Sequence, residues 1–129
     1  MHVPMNRLRT ILEKEGQARI VAFECPGCGE EHAVHVNGGV MTNKYFWGFN
    51  NDFIRPTFTP SVLVRSGHYA KENEGPGLCW CDYEQRFREP APSRCEVCHS
   101  FVTDGRIQFL SDCTHALAGQ TVDLPELPQ

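Results

Sequence analysis

The sequence predicts a mainly β fold of the α+β class: a small antiparallel β domain with an N-terminal helix and a short C-terminal helix. Two observations favour the sheet. Alternating stretches rich in β-branched residues recur at residues 18–23, 33–36 and 61–65, and this pattern is typical of strands. Asp104-Gly105 lies between two alternating apolar runs, and this dipeptide is the strongest short signal for a β-hairpin.

The two helices are predicted from apolar spacing and from capping residues. Residues 4–14 carry Leu8, Ile11 and Leu12 on one face and mostly charged side chains on the other, which is the pattern of an amphipathic helix. Ser111 or Asp112 can cap a one-turn helix that continues through residues 114–118, and Gly119 follows where the helix would end.

Length and composition are typical of one soluble domain spanning residues 1–129. Apolar residues make up 40% and charged residues 22%, and the formal net charge of −4 argues against a nucleic-acid-binding protein. The sequence contains neither a signal-peptide pattern nor an apolar run long enough to cross a membrane. We therefore expect a protein of the cytoplasm, which is a reducing compartment.

Residues 66–94 are predicted to form a long surface loop or insertion, because they are polar and rich in glycine, proline and charge. A loop of this length inside a small domain is uncommon unless something holds it. Cys79-Trp80-Cys81 lies within the loop and is the expected point of attachment.

Six of the seven cysteines occur in closely spaced pairs, which indicates a metal site. The first pair is Cys25 and Cys28, the second is Cys79 and Cys81, and the third is Cys95 and Cys98. A Cys-x-x-Cys turn aims both thiolates at one point, as a tetrahedral Zn²⁺ ion requires. In a reducing compartment such pairs indicate zinc rather than disulfides.

The pairing of these cysteines around zinc has three solutions. The first and third pairs can form one site that joins two hairpins, or the second and third pairs can close the long loop. Two sites can also share the six cysteines with His32 and His35. Sites with only cysteine ligands are normally closed, so we expect structural zinc. Cys113 is expected to be a small buried apolar residue.

A serine, a histidine and a carboxylate stand next to rigid elements and are the candidate catalytic residues. Ser61 follows the Thr59-Pro60 dipeptide at the start of a predicted strand, and His99 follows Cys98. Asp112 and His115 come just after the predicted hairpin. These three residue types are those that nucleophilic acyl transfer requires.

Several blocks of the sequence resemble a family of small phage and prophage proteins that genome records often label as ammonia monooxygenase. The blocks are Cys-Pro-x-Cys-Gly-x-x-His from Cys25, Pro-Thr-Phe-Thr-Pro-Ser at 56–61, Cys-His-Ser-Phe-Val at 98–102 and Asp-Cys-Thr-His at 112–115. Monooxygenase chemistry would need a copper site and a membrane span, and the sequence supplies neither.

Domains related to this family occur in bacterial operons for ubiquitin-like protein conjugation, and the resemblance implies a protease acting on the ubiquitin-like protein. It assigns Ser61 and His99 to catalysis, with Asp112 or His115 as the orienting group. It also implies that the loop with Cys79 and Cys81 is an insertion found in only part of the family.

Two hypotheses for function follow. The first is a zinc-stabilised serine hydrolase that cleaves a peptide or ester bond at a protein terminus, with Ser61 as nucleophile and His99 as base. The second is a non-catalytic zinc module whose aromatic residues Trp80 and Tyr83 bind another protein.

Overall fold

The structure, a computed structural model, describes residues 2–13, 19–36, 46–70 and 79–128. Within these ranges the chain forms antiparallel sheets with a single short α-helix, so the predicted mainly β class is confirmed. No helix in the described ranges is long and apolar enough to span a membrane.

The first sheet has three strands, which are β1 (Leu8–Glu13), β2 (Arg19–Cys25) and β3 (Glu30–Val36). They pair antiparallel in the order β1-β2-β3. The turn between β2 and β3 contains the first cysteine pair, and it closes with a hydrogen bond from the Gly29 amide to the Cys25 carbonyl. The predicted turn at the tip of a hairpin, with Cys25 and Cys28 at its two ends, is therefore confirmed.

The remaining strands form a two-stranded and a four-stranded antiparallel sheet. The smaller sheet pairs β4 (Gly48–Phe49) with β5 (Phe58–Thr59). The larger sheet consists of β6 (Val62–Ser66), β7 (Glu96–Thr103), β8 (Arg106–Phe109) and β9 (Thr121–Asp123), in that order. The β7–β8 hairpin turns at Asp104-Gly105, with both residues at positive φ, as the sequence predicts.

The loop at residues 66–94 contains short helical turns in its described part. Gly67–Tyr69 and Trp80–Asp82 are 3-10 turns, and Tyr83–Phe87 forms helix α1. The rings of Trp80 and Tyr83 lie 5.4 Å apart, and those of Tyr83 and Phe87 lie 4.5 Å apart. The aromatic residues of the second hypothesis, Trp80 and Tyr83, thus contact each other with tilted rings along this short helical segment.

A single cluster of buried apolar side chains joins the three sheets. Strands β2 and β3 contribute Val21, Phe23, Val34 and Val36, and the larger sheet contributes Val62, Val102, Ile107 and Phe109. Phe49 and Phe58 of the small sheet stack with their ring centroids 5.2 Å apart. From Cys98 to Thr103, buried residues of β7 alternate with half-buried or exposed ones, so this part of β7 has one buried face and one face that is available for a site.

The predicted N-terminal helix at residues 4–14 is wrong, because residues 8–13 form strand β1. Of the three apolar residues at helical spacing only Leu8 is buried, whereas Ile11 and Leu12 are 46% and 56% exposed. β1 pairs along β2, with Leu8 opposite Phe23. Pairing with a sheet edge satisfies the backbone of this segment, and tertiary context overrides a weak local propensity. Residues 14–18, where the helix was expected to end, lie outside the described ranges.

The predicted C-terminal helix at residues 112–118 is also wrong, because the segment forms consecutive turns. The Thr114 amide donates to the carbonyl of Val97 in β7, and the Cys113 amide donates to the Leu110 carbonyl. These bonds attach the segment to the end of the larger sheet. The backbone groups that a helix would pair with one another are therefore already used.

Candidate active site and metal centres

Strands β6 and β7 bring Ser61 and His99 together. Leu63 of β6 lies opposite His99 of β7, and Ser61 precedes Leu63 by two residues, so its side chain points to the same face. Ser61 Oγ lies 2.9 Å from His99 Nε2. The indole Nε1–H of Trp47 donates to the Ser61 carbonyl at 3.1 Å, which fixes the backbone that carries the hydroxyl.

The other ring nitrogen of His99 contacts Asp112. Nδ1 lies 3.1 Å from Asp112 Oδ2. With Nδ1–H donating to this carboxylate, Nε2 has a free lone pair and accepts the hydrogen bond from the Ser61 hydroxyl. The sequence left Asp112 and His115 as alternative orienting groups, and the structure brings Asp112 to His99.

The main chain of His99 is held at both of its polar groups. Its amide donates to Cys113 Sγ at 3.2 Å, and its carbonyl accepts from the Leu110 amide at 2.9 Å. The Cys113 thiol donates back to the same carbonyl at 3.2 Å. Cys113 is buried, as expected, but it does more than fill space, because its sulfur completes the hydrogen bonding of the strand at His99.

A hydroxyl, an imidazole and a carboxylate in this order have a defined chemical capability. The imidazole can take the hydroxyl proton as the oxygen attacks a carbonyl carbon, and the carboxylate then stabilises the imidazolium. The His99 side chain is 25% exposed and the Asp112 side chain is 55% exposed. The arrangement therefore faces solvent and is accessible to a large substrate.

One group of metal-ligating side chains joins the first and third sheets. Cys25, Cys28 and His32 come from the β2–β3 hairpin, and Cys98 comes from β7. Their ligand atoms all lie within 4.8 Å of one another. We call these four residues the core cluster.

The core cluster fits a tetrahedral metal ion. Cys25 Sγ and Cys98 Sγ lie 3.8 Å apart, and two thiolates at about 2.3 Å from one Zn²⁺ ion would be separated by about 3.8 Å. His32 is 4% exposed, and its Nε2 is buried without a hydrogen-bond partner. A buried nitrogen of this kind needs an acceptor, a donor or a metal, so the chemistry of the donor set supports a metal here.

A second group ties the long loop to β7. His68 follows β6, Cys79 and Cys81 lie in the loop, and Cys95 directly precedes β7. His68 Nδ1 is 2.9 Å from Cys79 Sγ, and Cys79 Sγ is 3.2 Å from Cys95 Sγ. We call these residues the loop cluster, and Cys81 is exposed in it.

The thiols of the core cluster have strongly divided pKa values. A hydrogen bond from the Cys98 thiol lowers the pKa of Cys25 to about 4. Burial and the neighbouring Cys25 raise the pKa of Cys28 to about 12. The hydrogen bond to Cys25, together with burial, raises the pKa of Cys98 as well. One thiolate thus keeps its neighbours protonated, and a divalent cation is what would allow all three to ionise together.

The loop cluster shows the same division. Burial raises the pKa of Cys95, but hydrogen bonds from the His68 amide and from Cys79 outweigh it and lower the value to about 6. The hydrogen bonds that Cys81 makes with Cys79 and Cys95 raise its pKa to about 12. In this cluster too, one ionised sulfur suppresses ionisation of another.

The structure divides the third cysteine pair between the two clusters, which is closest to the third solution from the sequence. Cys95 joins the loop cluster and Cys98 joins the core cluster. Their Cys-x-x-Cys spacing is that of a turn, but residues 96–103 are a strand, and the two sulfurs cannot meet at one ion. The prediction that this pair binds a single metal is therefore not supported by the geometry.

Sequence reasoning missed His68 and over-weighted His35. His68 is a ligand candidate, and the signal for it was a histidine at the start of the loop whose cysteines needed a further donor. His35 is exposed on β3 and is not part of either cluster. His32 lies three residues nearer the turn, where it reaches the core cluster.

His115 lies beside the core cluster rather than beside His99. It groups with Cys98 and Cys113, its ring meets Phe109 edge to face, and its Nδ1 accepts from the Leu117 amide. In the neutral ring the proton is then on Nε2, which is buried without an oxygen or nitrogen partner. His115 therefore lies against Cys98 of the core cluster and Cys113, whereas the side chain that contacts the His99 ring is Asp112.

Comparison with known proteins gives one match. Residues 2–110 match the family model described as "Bacterial ubiquitination-like system serine protease (BubE)". No curated protein and no solved structure matches the chain. The match supports the predicted relation to ubiquitin-like conjugation operons, while the phage or prophage origin stays a prediction.

Proposed function

Because the chain belongs to this family of bacterial ubiquitination-like system serine proteases, we propose that it is a serine peptidase whose nucleophile is Ser61. His99 is its general base and Asp112 its orienting carboxylate. One observation carries the proposal: His99 contacts the Ser61 hydroxyl through one ring nitrogen, at 2.9 Å, and the Asp112 carboxylate through the other, at 3.1 Å.

The reaction follows from this order of groups. Ser61 Oγ attacks the carbonyl carbon of the substrate, and its proton passes to His99 Nε2. The imidazolium, stabilised by Asp112, then protonates the leaving nitrogen or oxygen as the bond to the carbonyl carbon breaks. Water, deprotonated by His99, attacks the acyl-enzyme ester and releases the acid and the free serine.

The proposed substrate is a protein, and within this class a ubiquitin-like protein cleaved at its terminus. The family description supports a role in a ubiquitination-like system. The open position of the Ser61–His99 pair supports a polypeptide substrate rather than a small enclosed molecule. We place the reaction in the cytoplasm of a bacterial host cell, where a phage or prophage gene would supply the enzyme.

The proposed role of the metal is structural. Both clusters offer three thiolates and one imidazole, a donor set that gives closed tetrahedral Zn²⁺ sites. Bound there, Zn²⁺ would supply ligand bonds that hold β7 to the β2–β3 hairpin and to the long loop. The proposed reaction uses only Ser61, His99 and Asp112.

Labelling with a fluorophosphonate probe tests the proposal. The wild-type protein should be modified at Ser61, as located by peptide mass spectrometry, and should hydrolyse p-nitrophenyl esters. Ser61→Ala should abolish both activities, and His99→Ala should slow labelling by about 100-fold or more.

Ser66→Ala is the matched control, because Ser66 lies on the same edge strand, where its hydroxyl bonds to the Arg94 carbonyl. The Ser66→Ala variant should be labelled at Ser61 at the same rate as the wild-type protein. Circular dichroism on every variant separates lost chemistry from lost folding. Absence of labelling across a panel of probes, in folded metal-loaded protein, would contradict the proposal and favour the non-catalytic zinc module.

A further inference from the structure

A shallow cleft lies beside the Ser61–His99 pair, on the outer face of strands β6 and β7. Its volume is about 390 Å³, within the range of ligand sites. Its lining consists of Leu63, Arg65, His68, Tyr69, Val97, His99 and Asp112. The cleft is therefore continuous with the proposed active site.

The pleat of β6 places the side chains on its outer face in a row. Side chains two residues apart on a strand point to the same face and are separated by about 6.6 Å. Ser61, Leu63 and Arg65 follow this spacing, with Leu63 opposite His99 and Arg65 opposite Val97. An apolar group thus lies one step from the nucleophile, and a cation lies two steps from it.

The cleft contains two exposed apolar side chains. Leu63 is 42% exposed and Tyr69 is 37% exposed, although both stand next to a largely buried Val97. The ring centroid of Tyr69 lies 3.9 Å from that of His68, so the aromatic wall is attached to the loop cluster. Exposed apolar groups grouped beside a nucleophile indicate a surface that an incoming chain covers.

The cleft also contains the positively charged side chain of Arg65. Arg65 is exposed, and it forms no ion pair with any residue in the described ranges. Asp112, the acidic residue of the lining, is engaged by His99. A guanidinium without an ion pair among the described residues favours a carboxylate on whatever occupies the cleft.

We propose that this cleft is the specificity site for an extended peptide substrate, and the inference rests on the proposed function. Leu63 and Tyr69 receive an apolar side chain about two residues from the cleaved bond. Arg65, about 13 Å from Ser61 along the strand, binds a carboxylate about four residues from that bond, on the same side of it. The substrate class is thus an extended chain segment that carries an apolar and then an acidic residue.

Cleavage of matched fluorogenic peptides tests this inference. The peptides carry Leu or Gly two residues from the cleaved bond, and Glu, Gln or Lys four residues from it, in sets for each side of the bond. On one of the two sides, the wild-type protein should cleave the Leu/Glu peptide with kcat/KM about tenfold above the Leu/Lys peptide.

Two substitutions should change this preference in opposite ways. Arg65→Glu should invert the order of the Glu and Lys peptides. Leu63→Ala should lower kcat/KM about tenfold for peptides with Leu and leave those with Gly unchanged. The matched controls are Arg106→Glu, on β8 of the same sheet, and Ile54→Ala, which is 37% exposed outside the cleft. Neither control should alter the preference.

Fluorophosphonate labelling of Ser61 distinguishes failure of the proposed specificity site from failure of the proposed peptidase activity. Labelling depends on the Ser61–His99 pair and should be unchanged in both cleft variants. If Ser61 is labelled normally but Arg65→Glu and Leu63→Ala do not change the peptide preference, the proposed specificity site is wrong. The proposed peptidase activity would be unaffected by that result. Failure of the wild-type protein to be labelled would overturn the peptidase itself.

Discussion

Asp112 is the most exposed of the three proposed catalytic side chains, and this sets the size of its expected effect. A buried carboxylate in this position contributes up to about 10⁴-fold to the rate. Because Asp112 is 55% exposed, water can partly replace it, so Asp112→Asn should lower kcat by about 100-fold or less. Steady-state ester and peptide hydrolysis measure this change. Asp123→Asn, an exposed aspartate on β9, should have wild-type kcat, and an equal loss there would contradict the assignment.

Cys113 is expected to act as a positioning residue through the backbone of His99. Cys113→Ser keeps a group that can both accept from the His99 amide and donate to its carbonyl, whereas Cys113→Val keeps the volume and removes both bonds. We expect kcat to fall about tenfold in Cys113→Val and to be largely rescued in Cys113→Ser, with KM unchanged. Equal kcat values for the two variants would assign Cys113 to packing alone.

At the level of single residues, the sequence indicated the candidate serine and histidine better than their partners. Ser61 and His99 adjoin motifs with local meaning, a proline-preceded strand start and a predicted cysteine ligand, so each could be singled out, and the structure brings the two side chains together. The contact of Asp112 with His99 depends on how residues 111–119 are attached to β7, and no local pattern encodes that attachment. His68 was missed for the same reason, since its cysteine partners are brought near it only by the folded loop.

Two glycines allow the elements that carry metal ligands to approach closely. A Cβ at Gly27 would lie 2.3 Å from the His115 ring, and that ring is fixed against Phe109. A Cβ at Gly67 would lie 2.2 Å from Cys95 Sγ and 2.9 Å from Cys95 Cα. Gly27 therefore allows close packing beside the core cluster, and Gly67 allows it within the loop cluster.

The two alanine substitutions should have separable effects. Gly27→Ala should destabilise the protein by about 1–3 kcal/mol and weaken metal binding at the core cluster. Gly67→Ala should reduce bound zinc from two equivalents to one while Ser61 labelling is kept. Gly119→Ala is the control, because it has positive φ but no atom within 4 Å of the added Cβ, and it should cost about 1 kcal/mol. Elemental analysis and urea unfolding measure both effects, and loss of both metals from Gly67→Ala would contradict the separation.

Element types were predictable where the connecting turn carries a sequence signal of its own. The β2–β3 and β7–β8 hairpins each have a short turn that specifies the pairing, so the sequence was sufficient. β1 is different, because Leu8, Ile11 and Leu12 fit a helix and only the free edge of β2 makes the segment a strand. The C-terminal turns, attached to Val97, fail for the same physical reason.

For the molecule as a whole, we expect the two clusters to respond differently to a chelator. Cys25, Cys98 and His32 of the core cluster are almost fully buried, whereas Cys81 of the loop cluster is exposed. Treatment with a chelator should therefore release zinc in two phases. The first should leave the far-ultraviolet circular dichroism nearly unchanged, and the second should unfold the chain, because a structural site contributes on the order of 10 kcal/mol. Simultaneous release with one unfolding transition would contradict this order.

Because Cys95 belongs to the loop cluster and Cys98 to the core cluster, the two clusters can be gained or lost independently in evolution. Cys95 serves the loop, together with His68, Cys79 and Cys81, and Cys98 serves the sheets. A lineage that deletes the loop loses the partners of Cys95, so Cys95 can then change. The partners of Cys98 are still present, so Cys98 should be kept. Relatives without the loop should therefore have lost His68 and Cys95 together with it, and should retain Cys98 followed by histidine.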